Sequence, residues 1–169
     1  MLYRATDVGE KAIVWTTFVD NSFYLARALD DFGSTVINGD IDIDTRNARI
    51  QLFKTDPDTK VLVATPGSAK EGLTLTVANH AIFFDRSFSL DDYLQAQDRI
   101  HRISQSRSCF IWNLIATATV DEWVDTLISA KTFAAQLAQG DISLAEYRTH
   151  QSYDFGEAIR KVLSADEDY

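Results

Sequence analysis

An α/β fold, a parallel sheet wrapped on both faces by helices, follows from three observations on this 169-residue sequence. Short runs of β-branched and aromatic residues recur along the chain, amphipathic stretches separate them, and the runs are apolar throughout rather than alternating with polar residues. The first run is Ala12 to Thr16, followed by a helix expected over Asn21 to Phe32 on the spacing of Phe23, Ala26, Ala28 and Leu29. Gly33 stops that helix, and Ser34 to Asn38 forms the second run. Ile50, Leu52 and Phe53 then mark a helix over Asp44 to Thr55, ended by the Pro57 region. Lys60 to Thr65 and His80 to Asp85 are the third and fourth runs, and Leu90 to Ile103 is expected to be helical. The fifth run is Cys109 to Ile115. Thr119 and Glu122 form a capping box that starts a helix reaching Gln139, where Gly140 is its stop. A second capping box, Ser143 to Glu146, opens a tail of one or two short helices with an acidic end at Asp154, Glu157, Asp166, Glu167 and Asp168. Alternation of this kind implies βαβ units, with ligands beyond the carboxyl ends of the strands. Residues 1–140 are therefore one lobe and residues 141–169 a helical extension with an acidic end.

Composition narrows the function. With 16 Lys and Arg against 25 Asp and Glu, the net charge of −9 opposes a polyanion, so nucleic acid has to be met by a local patch. One cysteine, Cys109, allows no internal disulfide, and Cys109 with His80, His101 and His150 offers no zinc-ligand spacing. No metal site is expected. Apolar runs such as Ala81 to Phe84 are too short to span a bilayer, and the first residues lack the apolar core of a secretion signal, so no membrane partner is expected and the compartment is read as cytoplasmic. Neither GxxxxGK[ST] nor GxGxxG occurs, no acidic pair follows a strand in the manner that holds magnesium, and no Ser or Cys nucleophile stands near a histidine.

Chemistry concentrates in Gln95 to Gln105. Arg99 and Arg102, three residues apart on the expected helix, would share one face and make a guanidinium fork for a terminal phosphate. The plain alternative for any RxxR on a helix is a solvated pair held by Asp98 or Asp91. Gln95, Asp98, Arg99, His101, Arg102, Ile103 and Gln105 together match Q-x-x-D-R-x-H-R-I-x-Q, and the segment resembles motif VI of the superfamily-two helicases of Swi/Snf type. The resemblance implies that Arg99 and Arg102 act as arginine fingers on the ATP γ-phosphate. Gln95, Asp98 and His101 would lie at the interface between lobes.

Further segments follow the same family's order. Gly39, Arg46 and Phe53, seven and seven apart, match its G-x₆-R-x₆-F segment. Val61 to Thr65 with Glu71, Gly72 and Leu73 to Thr76, followed by Ala81 to Asp85, resembles motif V and its sequel, with a loop about one residue longer than usual at Thr65 to Gly72. Thr16 and Thr17 resemble motif IV, and Trp15 is read as core. The resemblance implies nucleic-acid contacts at Thr16, Thr17, Gly39, Thr65, Ser68, Lys70 and Thr74, and a place for Glu71 and Gly72 at the ATP-facing interface. Thr76 is read as a cap.

The family's fold would be a three-layer RecA-like domain. Its function would be that of the second motor lobe of a DNA translocase, with ATP and Mg²⁺ bound only in the complete two-lobe enzyme. The partners implied are an amino-terminal RecA-like lobe, in the same protein or a separate subunit, and duplex DNA gripped without regard to sequence. The chain alone is expected to be inactive, being either a lobe of a longer protein or half of a split motor. A bacterial or phage origin and association with the nucleoid are expected. The alternative from another class is a non-catalytic RecA-like interaction module whose arginines meet an acidic protein.

Overall fold

The computed structural model describes residue 2, residues 9–69 and residues 73–150. Five strands form one parallel sheet: β1 (Ala12–Trp15), β2 (Ser34–Ile37), β3 (Val61–Ala64), β4 (His80–Phe83) and β5 (Phe110–Asn113), in spatial order β2-β3-β1-β4-β5. The expected α/β class and each expected strand are present. Along β1, Ile13 and Trp15 point to one face while Ala12 and Val14 point to the other. The first face holds Leu62, Ala64, Ala81 and Phe83 against Ile50, Phe53, Ala96 and Ile100; the second holds Val61, Val63, Val36 and Ile82 against Leu25. Burial on both faces is why these runs lack alternation. Trp15 is core as expected, fully buried and stacked on Phe83.

Helix α1 (Val19–Ala28) covers one face, and α2 (Ile43–Thr55) with α3 (Leu90–Gln97) the other. Two expected helices are shorter than their apolar spacing suggests. The first ends at Ala28 and continues as a 3₁₀ turn, Asp30–Phe32, because the bonds tighten to Phe32 N–H on Leu29 and Gly33 N–H on Asp30. Gly33 sits at φ +64°, where a Cβ would lie 1.9 Å from the Asp58 carbonyl oxygen, so this crossing of β2's start over β3's approach needs glycine. The helix expected to reach Ile103 stops at Gln97. Beyond it, main-chain bonds from Arg99, Ile100 and His101 back to Ala96 and Gln97 form successive turns, and these drive Ile100 fully into the core.

The outermost strand β5 departs from the expected two-sided burial. Phe110, Trp112 and Asn113 are exposed, with Phe110 stacked between His80 and Trp112.

The chain divides into two compact units, Met1–Leu114 and Ile115–Tyr169, so the boundary expected at residues 140 and 141 falls inside the second. In that unit α4 (Val120–Gln139) ends at Gly140 in the left-handed region, and α5 (Leu144–His150) follows. Thr119 caps α4 as expected, but the carboxylate reaching back to the main chain, at Ala116 N–H, is that of Asp121. At α5 the box is reciprocal: the Glu146 carboxylate accepts from Ser143 N–H while Ser143 Oγ accepts from Glu146 N–H. The acidic end from Asp154 onward lies outside the described residues. No helix among those described is long and apolar enough to cross a membrane.

Candidate functional site

Four of the expected nucleic-acid contacts stand where β1 and β3 end. Thr16 follows β1 and is fully buried, donating its hydroxyl to Asp85 Oδ2. Thr17 donates both its amide, at 2.6 Å, and its hydroxyl to Asp85 Oδ1. Neither threonine therefore offers an uncommitted hydroxyl; what the loop presents outward is Phe18, 61% exposed. Thr65 and Ser68 flank the end of β3 and are buried, Ser68 donating to the Thr65 carbonyl at 2.8 Å and to Ile37 at 3.3 Å. Its hydroxyl closes the 3₁₀ turn Pro66–Ala69. Gly39, past β2, is exposed, and Asn38 before it is buried, its amide donating to Ser22 and its oxygen accepting from Asp40 N–H. Lys70, Glu71 and Gly72 lie outside the described residues.

The arginines occupy the turns after α3 rather than one face of a helix. Arg99 is buried, 6% exposed, and its guanidinium donates to the Leu73 carbonyl at 3.3 Å while its own carbonyl accepts from Leu75 N–H. Burial, and then the neighbouring charge of Arg102, push the Arg99 guanidinium below its ordinary pKa, with Asp98 opposing. Arg102 is half-buried. Its Nε donates to the Asp98 carbonyl at 3.0 Å and its Nη1 to the Thr74 hydroxyl at 2.7 Å. Thr74, Asp98, His101, Arg102 and Ile103 line an open cleft. Gln95, Asp98 and His101 are exposed.

Gln105 completes this site in a way its place in the motif did not reveal. Its amide nitrogen reaches the carbonyls of Ala78 at 2.9 Å and of Thr76 and Ile100 at 3.2 Å, and Arg107 donates to Val77 and Thr76. Through Arg99, Arg102, Gln105 and Arg107, the arginine turns hold the segment 73–78 by its main-chain oxygens and one hydroxyl. Thr74 is thereby brought to Arg102. Thr76, expected as a cap, instead offers its carbonyl to this network. The chemistry available is a rigidly backed, accessible guanidinium facing an open cleft, able to meet an anion from a neighbouring body.

Sequence reasoning passed over Asp85 as merely the end of a strand. The available signal was position, a carboxylate immediately beyond the carboxyl end of a buried parallel strand.

Comparison with known proteins agrees with this fold. The family described as "Helicase conserved C-terminal domain" matches residues 1–104. ATP-dependent helicase fft1 of Schizosaccharomyces pombe is 31% identical over 133 residues, which are 77% of this chain and 14% of that protein. The putative ATP-dependent helicase/translocase YwqA of Bacillus subtilis is 28% identical over 147 residues, 85% of this chain and 16% of that protein. A crystal structure of the C-terminal part of the Fun30 ATPase domain superposes with a TM-score of 0.68 at 28% identity, covering 73% of this chain and 40% of that one. The chain thus spans about a sixth or less of the length of these two helicases.

Proposed function

The chain belongs to the helicase conserved C-terminal domain family, and within it to the Swi/Snf type, and on that premise we propose that it is the second motor lobe of an ATP-dependent DNA translocase. ATP and its magnesium ion are held as substrate by a companion lobe carrying the phosphate loop, which this sequence lacks. Closure of the two lobes brings Arg102 to the terminal phosphate. There its planar fork stabilises charge that develops in the transition state. Arg99 has a different part in this reading: it carries positive charge behind Arg102 and fixes the turn from which Arg102 projects.

The single observation that supports this assignment most is the half-exposed Arg102 guanidinium in an open cleft, backed by bonds to the Asp98 carbonyl and the Thr74 hydroxyl. Gly39, the turn after β3 and the outward surface of the β1–α1 loop face a DNA backbone in the same reading, and Phe18 adds apolar contact. Contact through phosphates makes the grip indifferent to sequence and sensitive to salt. With −9 net charge, the lone chain binds duplex DNA weakly at physiological salt. Alternating closure and opening over each ATP would step the lobe along the duplex.

The test is ATP turnover by this chain alone and joined to its companion lobe, with and without duplex DNA. The expected result is no turnover by the lone chain and DNA-stimulated turnover by the pair. Turnover by the purified lone chain, abolished by a substitution within it, would overturn the half-site reading.

A further inference from the structure

Asp85 collects four hydrogen bonds, all from one short stretch. Oδ1 accepts from the Thr17 amide at 2.6 Å and from the Thr17 hydroxyl, and Oδ2 accepts from the Thr16 hydroxyl and from Asn21 Nδ2 at 3.3 Å. The donors lie 64 to 69 residues away in sequence, and a main-chain bond from Phe84 N–H to the Trp15 carbonyl runs beside them. Both carboxylate oxygens are therefore committed to the end of β1, the loop after it and the first turn of α1.

This matters because α1 lacks a capping side chain at Phe18. In most helices that side chain fixes the angle at which the chain enters. Here Asp85 does so from a different strand, through Thr17 and Asn21. A bare carboxylate beside a polyanion would be repulsive, and four donors spread its charge into the loop they belong to.

We propose that Asp85 is a positioning residue for the DNA grip: it holds the β1–α1 loop, with Phe18 at its tip, in the orientation that meets the nucleic-acid backbone. The inference rests on the function proposed above. Its action is indirect. Thr16 and Thr17 serve as its ligands, so their hydroxyls shape the loop while the loop's outward surface makes the contact.

Asp85→Asn tests this, because the amide keeps the size of the carboxylate but has one accepting oxygen, and its NH₂ confronts donors. In the two-lobe protein, the duplex DNA concentration giving half-maximal ATPase stimulation should rise about tenfold, with kcat at saturating DNA within about twofold of the parent. Combining it with Thr17→Val should add little, since both remove the same contact, whereas independent sites would multiply. Thr17→Val alone, which deletes one bond and adds no polar group, should shift half-saturation about threefold and carries the test if Asp85→Asn does not fold. Unchanged half-saturation in a folded variant, or a fall in kcat alone, overturns the positioning role. A parent protein indifferent to DNA overturns the proposed function and this inference together, whereas a DNA-stimulated parent with an unaffected Asp85→Asn overturns this inference alone.

Discussion

At the amino end of the sheet, Lys11 Nζ donates to the carbonyls of Phe53 and Asp56, each at 2.6 Å, while Glu10 accepts from Asn79 at 2.8 Å and from His80 Nε2 at 2.6 Å. The His80 ring's other nitrogen accepts from the Trp112 indole, which assigns the ring hydrogen to Nε2. Arg102 also bonds a carbonyl and a hydroxyl, yet its guanidinium borders an open cleft. Both regions put ionisable side chains to work on the main chain. The difference is what remains afterwards. Around Lys11 and His80 the donors are spent on joining elements, which is the work of a scaffold. Around Arg102 an accessible, planar charge remains, as a ligand site requires.

The strongest way to break this contrast is Arg102→Ala in the two-lobe protein. DNA-stimulated ATPase should fall by about 10³-fold or more with little change in melting temperature, because a finger acts on transition-state charge. Arg102→Lys should recover little, since a point charge cannot reproduce the fork. Near-normal kcat in a folded Arg102→Ala protein would place Arg102 with the scaffold. Arg99→Ala sharpens the same comparison: melting temperature and activity should fall together, since it empties a buried position and frees the Leu73 carbonyl.

On the scaffold side, Gly33→Ala should destabilise the fold by about 2 kcal/mol or more without touching the arginine cleft, through its positive φ and the Asp58 carbonyl in the way of a Cβ. Denaturant unfolding measures it, and a shift below about 0.5 kcal/mol would mean that the Asp58 turn gives way freely. The smallest effect should come from Glu10. Its hydrogen bond from His80, helped by Asn79, lowers its carboxyl below the ordinary 4.5. A lowered acid contributes stability that is present above its unfolded pKa and disappears as pH falls through the folded value. Glu10→Gln should thus cost about 1 kcal/mol at pH 7 and progressively less below pH 4.5. Urea titrations across that range would show a pH-independent cost if the bond to His80 carried none of it.

Much of the fold was legible because its signals are local. All five strands announce themselves as apolar runs of the right length, Thr119 and Ser143 cap α4 and α5 by accepting main-chain N–H groups, and Gly140 ends α4. The arginine pair was legible as residue types at a spacing. Their difference in environment was not, because it depends on where α3 stops, and nothing between Leu90 and Ile103 breaks a helix. The demand of Ile100 for the core and of Leu75 N–H for the Arg99 carbonyl decides it.

By itself, then, the sequence determined the α/β class, the order of its elements and the motif on which family membership rests, since each depends on neighbours a few residues apart. Tertiary structure alone decided that Arg99 is buried and Arg102 accessible, that Thr74 meets Arg102, and that Thr16 and Thr17 serve Asp85. Those outcomes are set by hydrogen bonds across 26 to 69 residues, whose partners come together only when parallel strands distant in sequence lie side by side.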